Sequence, residues 1–508
     1  MKRKRTRILM SFCTDWYWYD VAKSLSNQLD LAYLVSRPAA IQSRAAKELK
    51  TTVVLNQNTL EYPFLVDELN KGSTTQLSQS LLDSLNWAEL EFLAISDRVS
   101  FFPLTVRRRR AIFKSLVQFW YTFLKMEKLD AIFLTDTPHV GFDTVLFAVA
   151  TTCFKIPVVS LRRPFIRDRM LLVSDYRKHL PKVPTTYKQT ANKKELITLI
   201  GAELIADVFS KNPWQKKDAL ISHAATKQPS LLSFLIARVT VLINPLKWYS
   251  YVNSLFSPST YGAFNFNNGT IQLVEKICGL YHRYSCIQLK KHYDTLANDF
   301  KLPTSNKFIY FPLHLQPERS TIPEGGIFED QRLAIEILAQ AIPDNWRIVV
   351  KEHPRQFNLF DFQKHTFRTK RDYDELKKID SVVFCPLTIS QKELIAQAEC
   401  TATITGTGGW ESLLAKKPSL VFGNAWYSGC QSCFSVGSLD QVKQALGQLK
   451  KKSQKIVELD LLRFLAYYRS DLIVGSNAKE FALQSPRKYQ HLVENMTKSV
   501  TEHIQNRL

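Results

Sequence analysis

A chain of 508 residues is too long for one hydrophobic core; at about 100 to 200 residues per domain it divides into two or three. With 45% hydrophobic and 22% charged residues it is globular rather than disordered. Its 68 Lys and Arg against 46 Asp and Glu leave a formal charge of +22, which points to an anionic partner: nucleic acid, a phospholipid surface, or a phosphorylated or acidic substrate.

The chain opens on MKRKRTR, but Asp15 and Asp20 interrupt the apolar run that follows, so no signal peptide is read here. "RILMSF" (7–12) reads as a strand, the stretch from Tyr19 to Leu29 as a helix, and "LAYLVS" (31–36) as the next strand. Two helical stretches follow, near 75–97 and 105–128. Arg107 to Arg110 open the second, ahead of Ile112, Leu116, Phe119, Phe123 and Leu124 at helical spacing, so they read as a solvated helix end. No nucleic-acid module surrounds them, and nucleic acid is set aside. Then come "DAIFLT" (130–135), the loop "DTPHVGFD", a helix to Phe154 and "PVVSL" (157–161). Strands alternating with helices predict a parallel sheet and a first α/β domain over 1–175. Its loops offer Asp15, Asp136, His139 and Asp143, carboxylates and a histidine of the kind that deprotonates a hydroxyl. Asp15 and Asp143 also precede helices, where capping is the other reading.

Residues 176–300 break the rhythm and read as a helical insertion or linker. Within them, 229–252 is apolar but divided by Arg238 and stopped by Pro245, short of the ~20 residues a membrane span needs. It fits either an interfacial helix, with Lys247, Trp248 and Tyr249 at headgroup level, or a buried helix between domains. The eight cysteines are scattered; Cys430 and Cys433 form a lone C-x-x-C without a second ligand pair, so no metal site is expected and a reducing cytoplasm is the simplest compartment.

The rhythm returns over 301–508: strand "KFIYFP", helix "IFEDQRLAIEILAQAI", strand "WRIVV", strand "SVVFC" (381–385), helix 390–399, strand "CTATIT" (400–405), the turn "GTGG", helix "WESLLAKK" and strand "PSLVFG" (418–423). Three polar loops should share one sheet edge, because each follows a parallel strand. The first, His314 to Thr321, carries Gln316, Glu318 and Ser320, and reads as a ligand-site wall or a plain surface loop. The second, Lys351 to Arg355, sets His353 before Pro354, where a histidine can donate to a phosphate oxygen; a satisfied loop histidine is the alternative. The third, Thr405, Gly406, Thr407, Gly408, Gly409, Trp410 and Glu411, turns from strand to helix. Its free N–H groups near Gly408 to Trp410 suit an anion and Glu411 suits a ribose hydroxyl, unless the glycines serve close packing alone.

"YFPLHLQPERSTIPEGG", "VVKEHPRQF" and "TITGTGGWESLLAKKPSLVFGNAWY" together resemble the bacterial capsule polysaccharide synthesis family, which includes Kdo transferases acting on lipid-linked capsule precursors. The resemblance covers about residues 305–430 and, more faintly, "PHVGFDTVLFAVA". It implies a GT-B-like fold, two Rossmann-like domains facing across a cleft with the helical insertion between them. It also implies that His353 and Pro354 belong to a His-Pro nucleotide-binding motif and Thr405 to Glu411 to a glycine-rich donor loop. The activity implied is transfer of a sugar, such as a CMP-linked acidic sugar, from a nucleotide donor to a lipid-linked or polysaccharide acceptor. No cofactor beyond the nucleotide-sugar co-substrate is expected, and the place of work is the cytoplasm or the inner face of its membrane. Two rivals stay open: transfer of a polyol phosphate from a CDP donor, and a non-catalytic glycan-assembly protein.

Overall fold

The computed structural model describes residues 5–61, 76–99, 104–210, 252–253, 272–302, 307–358 and 367–507. The chain forms two compact units, Met1–Trp214 with Leu462–Leu508, and Gln215–Leu461. The segment 229–252, except its last residue, lies outside the described residues. Among the described residues no helix is long and apolar enough to cross a membrane.

In the first unit, β1 (Arg7–Cys13), β2 (Asp30–Ser36), β3 (Val53–Asn56), β4 (Ala131–Leu134) and β5 (Val158–Arg162) are parallel, and β6 (Arg169–Val173) runs antiparallel to β5. The sheet order is Leu472–Val474, β6, β5, β4, β1, β2, β3. Strands such as "AIFL" and "VVSLR" are buried along their whole length, as expected when helices cover both faces. The order reverses between β1 and β4, the point beyond whose strand ends open sheets of this kind usually take a ligand. Their following loops lead into α1 (Trp16–Gln28) and α2 (Phe142–Cys153).

Residues 462–508, expected with the second domain, belong to the first. The strand Leu472–Val474 pairs antiparallel with β6, and the helix Tyr489–Gln505 gives Leu492, Val493, Met496, Val500 and Ile504 to the core of Ile8, Met10, Val21 and Leu25. The apolar spacing of that helix shows that it buries a face. It carries no mark of which core receives it. The span 176–300 is likewise not one block: helices Lys193–Ile200 and Ala202–Phe209 fall in the first unit, whereas Gln272–Ala297 packs Cys286, Leu289 and Tyr293 into the core of the second.

The second unit is a six-stranded parallel sheet: β7 (Phe308–Pro312), β8 (Arg347–Lys351), β9 (Val382–Phe384), β10 (Cys400–Thr403), β11 (Ser419–Val421) and β12 (Cys433–Ser435), in the order β12-β11-β10-β7-β8-β9. This is the doubly wound order of a Rossmann domain, with its reversal between β7 and β10. Both units are thus Rossmann-like. One boundary matters for the site: the helix expected from Trp410 begins earlier, as α3 (Thr407–Leu414), with Gly406 as its N-cap.

Candidate functional site

The three polar loops of the second unit do meet at one edge, around the reversal between β7 and β10. His314 is the knot. Its Nε2 lies 2.9 Å from Thr403 Oγ1 and accepts from Thr405 N at 3.4 Å, while Nδ1 faces Ser320 Oγ at 3.4 Å. With Nε2 accepting, the neutral ring carries its proton on Nδ1. Burial, reinforced by the nearby His353 and Arg368, pushes the His314 pKa down to about 3, so it is a neutral tie between strand ends rather than a charge for a phosphate. Thr405 Oγ1 donates to Ser320 O at 2.6 Å and closes the same knot. Gln316 is held by its backbone to the Gln356 side chain and donates its own amide to Glu329 O at 2.6 Å. Half-buried Glu318 accepts from Ser320 Oγ at 3.1 Å.

In the Lys351–Arg355 loop, the ammonium of Lys351 is buried and donates to Ile389 O; burial lowers its pKa. It anchors the strand end. His353 caps the short turn Pro354–Phe357, its Nδ1 accepting from Arg355 N at 3.2 Å. In the neutral ring the proton then sits on Nε2, which makes His353 a hydrogen-bond donor from a half-buried position. Sequence reasoning passed over the residue beside it. Glu352 is 1% exposed, pairs with Arg368 Nε at 3.0 Å and accepts from Tyr373 Oη at 2.8 Å, and its own N–H donates to Tyr293 Oη at 3.0 Å. Arg368 in turn reaches His314 O at 3.4 Å, so a buried ion pair sets two of the three loops. Removing either partner of such a pair typically costs ~3 to 5 kcal/mol. The signal available in the sequence was a carboxylate inside an otherwise basic motif.

At the third loop the glycines divide by role. A Cβ on Gly408 would stand 2.8 Å from Pro312 Cγ, and one on Gly409 would run into the Tyr427 ring, 2.9 Å from Cζ. Both glycines are buried inside the first helical turn, so they serve close packing. Trp410 is also core, its ring 4.5 Å from that of Trp426. Tyr427, another residue not read from the sequence, donates to the N-cap carbonyl of Gly406 at 2.6 Å and holds the helix start in place. The half-buried part of the loop is Gly406 and Thr407, and no side chain caps the helix there. Glu411, whose pKa burial raises, accepts from Gln391 Nε2 at 2.9 Å through one carboxylate oxygen.

In the first unit the carboxylates are mostly structural. Asp15 caps α1, accepting from Trp18 N at 3.2 Å and Lys479 N at 2.7 Å. Asp143 is buried and accepts from four backbone N–H groups, those of His139, Val140, Gly141 and Thr144, at 2.9 to 3.0 Å. Asp136 accepts from Thr137 N and pairs with Arg163. His139 is the half-buried member of the set. Its Nδ1–H donates to Thr137 O at 2.6 Å, which puts the lone pair of the neutral ring on Nε2, and its ring lies 5.3 Å from that of Phe12 at the β1 end. Among the described residues no three His, Cys, Asp or Glu side chains are grouped as metal ligands would be, and Cys430 and Cys433 are buried and not joined in a disulfide.

No curated protein matches the chain significantly. Among solved structures it is similar to the Thermosulfurimonas dismutans KpsC β-Kdo 2,4-transferase at 12% identity, over 72% of this chain and 88% of that one, with a TM-score of 0.28. The β-Kdo 2,7-transferase of the same protein gives 15%, 73%, 87% and 0.25. The Methanocaldococcus jannaschii UDP-GlcNAc 2-epimerase in complex with UDP-GlcNAc and UDP gives 11%, 91%, 100% and 0.23. Likenesses this slight say nothing of residues or chemistry. The stretch that holds all three loops is another matter: residues 249–449 match the family described as capsule polysaccharide biosynthesis protein, and the resemblance read from the loop motifs holds over that part of the chain.

Proposed function

We propose that the protein is a glycosyltransferase of surface-polysaccharide synthesis that moves a sugar from a nucleotide donor to a capsule or other glycan precursor. The observation that carries this reading is the meeting of the His314, His353 and Thr407 loops at the strand-order reversal of the Rossmann sheet that matches the capsule family. In this reading the donor phosphate lies at the start of α3, where the first N–H groups of the helix meet an anion without a competing side-chain cap. His353 donates from Nε2 and neutralises charge as it builds on the departing phosphate, an interaction worth more in the transition state than before it. For the acceptor hydroxyl the first unit offers His139 as base. A CMP-linked acidic sugar such as Kdo is the donor class we favour, with no further cofactor, and the +22 charge favours work at an anionic membrane surface.

Thermal shifts with CMP, CDP, UDP and GDP test the donor site. A nucleotide at 100 times its Kd should stabilise the fold by ~2.7 kcal/mol, and the preferred base names the donor class. Slow release of nucleotide from the matching nucleotide sugar without acceptor is the expected sign of turnover. Absence of any nucleotide shift refutes the donor site, and a shift without turnover leaves a binding protein.

A further inference from the structure

The first unit also carries a small, partly open cleft that none of the donor chemistry uses. Its lining comes from the loop between β5 and β6, with Arg163, Asp168 and Arg169, and from the turn after the strand Leu472–Val474, with Gly475, Ser476 and Asn477. β5 ends, β6 begins and Leu472–Val474 ends at the same edge of the sheet, the edge that bears Asp15 and Asp136. Two bonds fasten the cleft to that neighbourhood: Trp18 Nε1 donates to Asn477 O at 2.9 Å, and Lys479 N to Asp15 Oδ2 at 2.7 Å.

Most of the charge in the lining is already committed. Arg169 donates from Nε to Asp207 Oδ2 at 2.8 Å and from Nη1 to Leu472 O at 3.1 Å. Asp168 accepts from Arg487 Nη1 at 2.9 Å and Ser485 Oγ at 2.7 Å, both on Oδ2, so its charge is paired with a guanidinium. Ser476 Oγ donates to Ala478 O at 3.0 Å. Arg163 differs. One Nη2 contact to Asp136 is its ion pair, and its buried Nε has no hydrogen-bond partner. A guanidinium has five N–H donors in a planar fork; with Nε sealed from solvent and one Nη2 contact given to Asp136, the remaining Nη N–H groups are what a ligand in the cleft can meet. The side-chain amide of Asn477 likewise makes no hydrogen bond among the described residues.

We propose that this cleft is a subsite for one oxyanion, a carboxylate or a phosphate, gripped by Arg163 and flanked by the amide of Asn477. Assigning the anion to the glycan acceptor rests on the proposed glycosyl transfer; the anion site itself does not. Charge-assisted contact to a fixed guanidinium is roughly twice as strong as a neutral hydrogen bond, which gives the cleft a preference for an acidic over a neutral sugar. Because Arg163 also holds Asp136, an anion that shares its fork forms a row of carboxylate, guanidinium and oxyanion.

The test is calorimetric titration of the full chain with glucuronate, glucose 1-phosphate, inorganic phosphate and glucose, repeated on Arg163→Gln and Asn477→Ala. The expected result is binding of the anionic probes about tenfold or more tighter than glucose, lost about tenfold in Arg163→Gln. Glucuronate ahead of the phosphates names a carboxylate, and the reverse order names a phosphate. Glucose binding as tightly as glucuronate, no anion binding up to tens of millimolar, or binding unchanged in a folded Arg163→Gln each overturns the proposal. Should Arg163→Gln fail to fold, Asn477→Ala decides, because its side chain bonds nothing in the fold: severalfold weaker binding of both sugar anions supports the site, and unchanged binding overturns it. The nucleotide shift of the second unit is read in the same samples. Its presence without an anion site leaves the proposed function standing, and its absence with one leaves the anion site standing.

Discussion

His139 and Asp143 share one loop, yet counting their hydrogen bonds gives them different work. Asp143 spends its carboxylate on four backbone N–H groups, so Asp143→Ala orphans buried donors at ~1 to 3 kcal/mol each. Urea unfolding should show it among the most destabilising single changes in the first unit; a loss below about 1 kcal/mol would contradict the role. His139→Ala is expected to keep the fold and lose transfer by ~10² to 10⁴, the usual worth of a general base. Normal turnover of that variant would remove His139 from the chemistry. At His353 the two readings separate by choice of substitution, since alanine removes both the cap on Arg355 N and the imidazole donor, whereas asparagine can still cap. His353→Asn should be as stable as the parent but slower by ~10² to 10³, with nucleotide affinity weakened far less. His314 makes a pH prediction. Burial holds its folded pKa near 3 against about 6.5 in the unfolded chain, so the unfolded state binds the extra proton between those values. Stability from this group is full above pH 6.5 and falls by up to about 1.4 kcal/mol per unit as pH drops toward 3. His314→Gln should flatten that part of the stability curve, and an unchanged slope would contradict the neutral knot. Sequence alone could name these residues by type and loop. It could not count their backbone partners, which separate a base from a cap.

At the scale of elements, α3 shows what a motif conceals. "GTGG" read as a turn ahead of the helix, and Gly408 and Gly409 proved to be inside it, placed so that Pro312 and Tyr427 can approach. A valine at either position would therefore probe packing and not phosphate approach. Gly409→Ala is expected to lose ~1 to 3 kcal/mol of stability by overpacking against the Tyr427 ring, seen as a lower Tm. The anion at the helix start calls for a different change. Gly406 has φ −69° and ψ 163°, the extended conformation that a following proline demands, and position 407 is the first helical residue, where proline is tolerated. Thr407→Pro thus deletes one free N–H with the helix intact, while Thr407→Ala controls for the side chain. Nucleotide affinity should fall several-fold in the proline variant and much less in the alanine variant; equal affinities would place the phosphate elsewhere. The strands that were read fell within a residue or two because apolar runs bounded by polar loops leave little choice, as "WRIVV" and the observed Arg347–Lys351 show, whereas the strands β3, β6, β12 and Leu472–Val474 were not read. The helix start was not, because a buried glycine pair has the same letters as a turn.

For the whole molecule, local patterns ordered the elements they revealed and mislaid the partners of the late ones. The doubly wound orders follow from alternation of strand and helix, which any window of the sequence displays. The return of residues 462–508 to the first unit depends on contacts some 300 to 480 positions back along the chain, as Arg169 to Leu472 and Tyr17 to Leu492 show, and no window contains them. The late segment is also tied by charge. Arg487 donates to Asp168 at 2.9 Å and to Asp207 and Glu203 at 2.7 Å each, and the helix after it fills the face of the sheet beside α1. Removing 462–508 therefore strips the first unit of an edge strand, a buried ion network and the five core side chains of its last helix, and leaves Ile8, Met10 and Val21 partly uncovered. At roughly 1.5 to 3 kcal/mol for each large apolar side chain, the loss is as large as the 5 to 15 kcal/mol that usually holds a domain together. The second unit is contiguous and has its own core, so a fragment of residues 215–461 should unfold cooperatively and keep the nucleotide shift. A fragment of residues 1–214 should show no cooperative transition until 462–508 is supplied as a separate chain. A sharp urea transition for 1–214 alone would mean that the returning segment decorates this unit without holding it together.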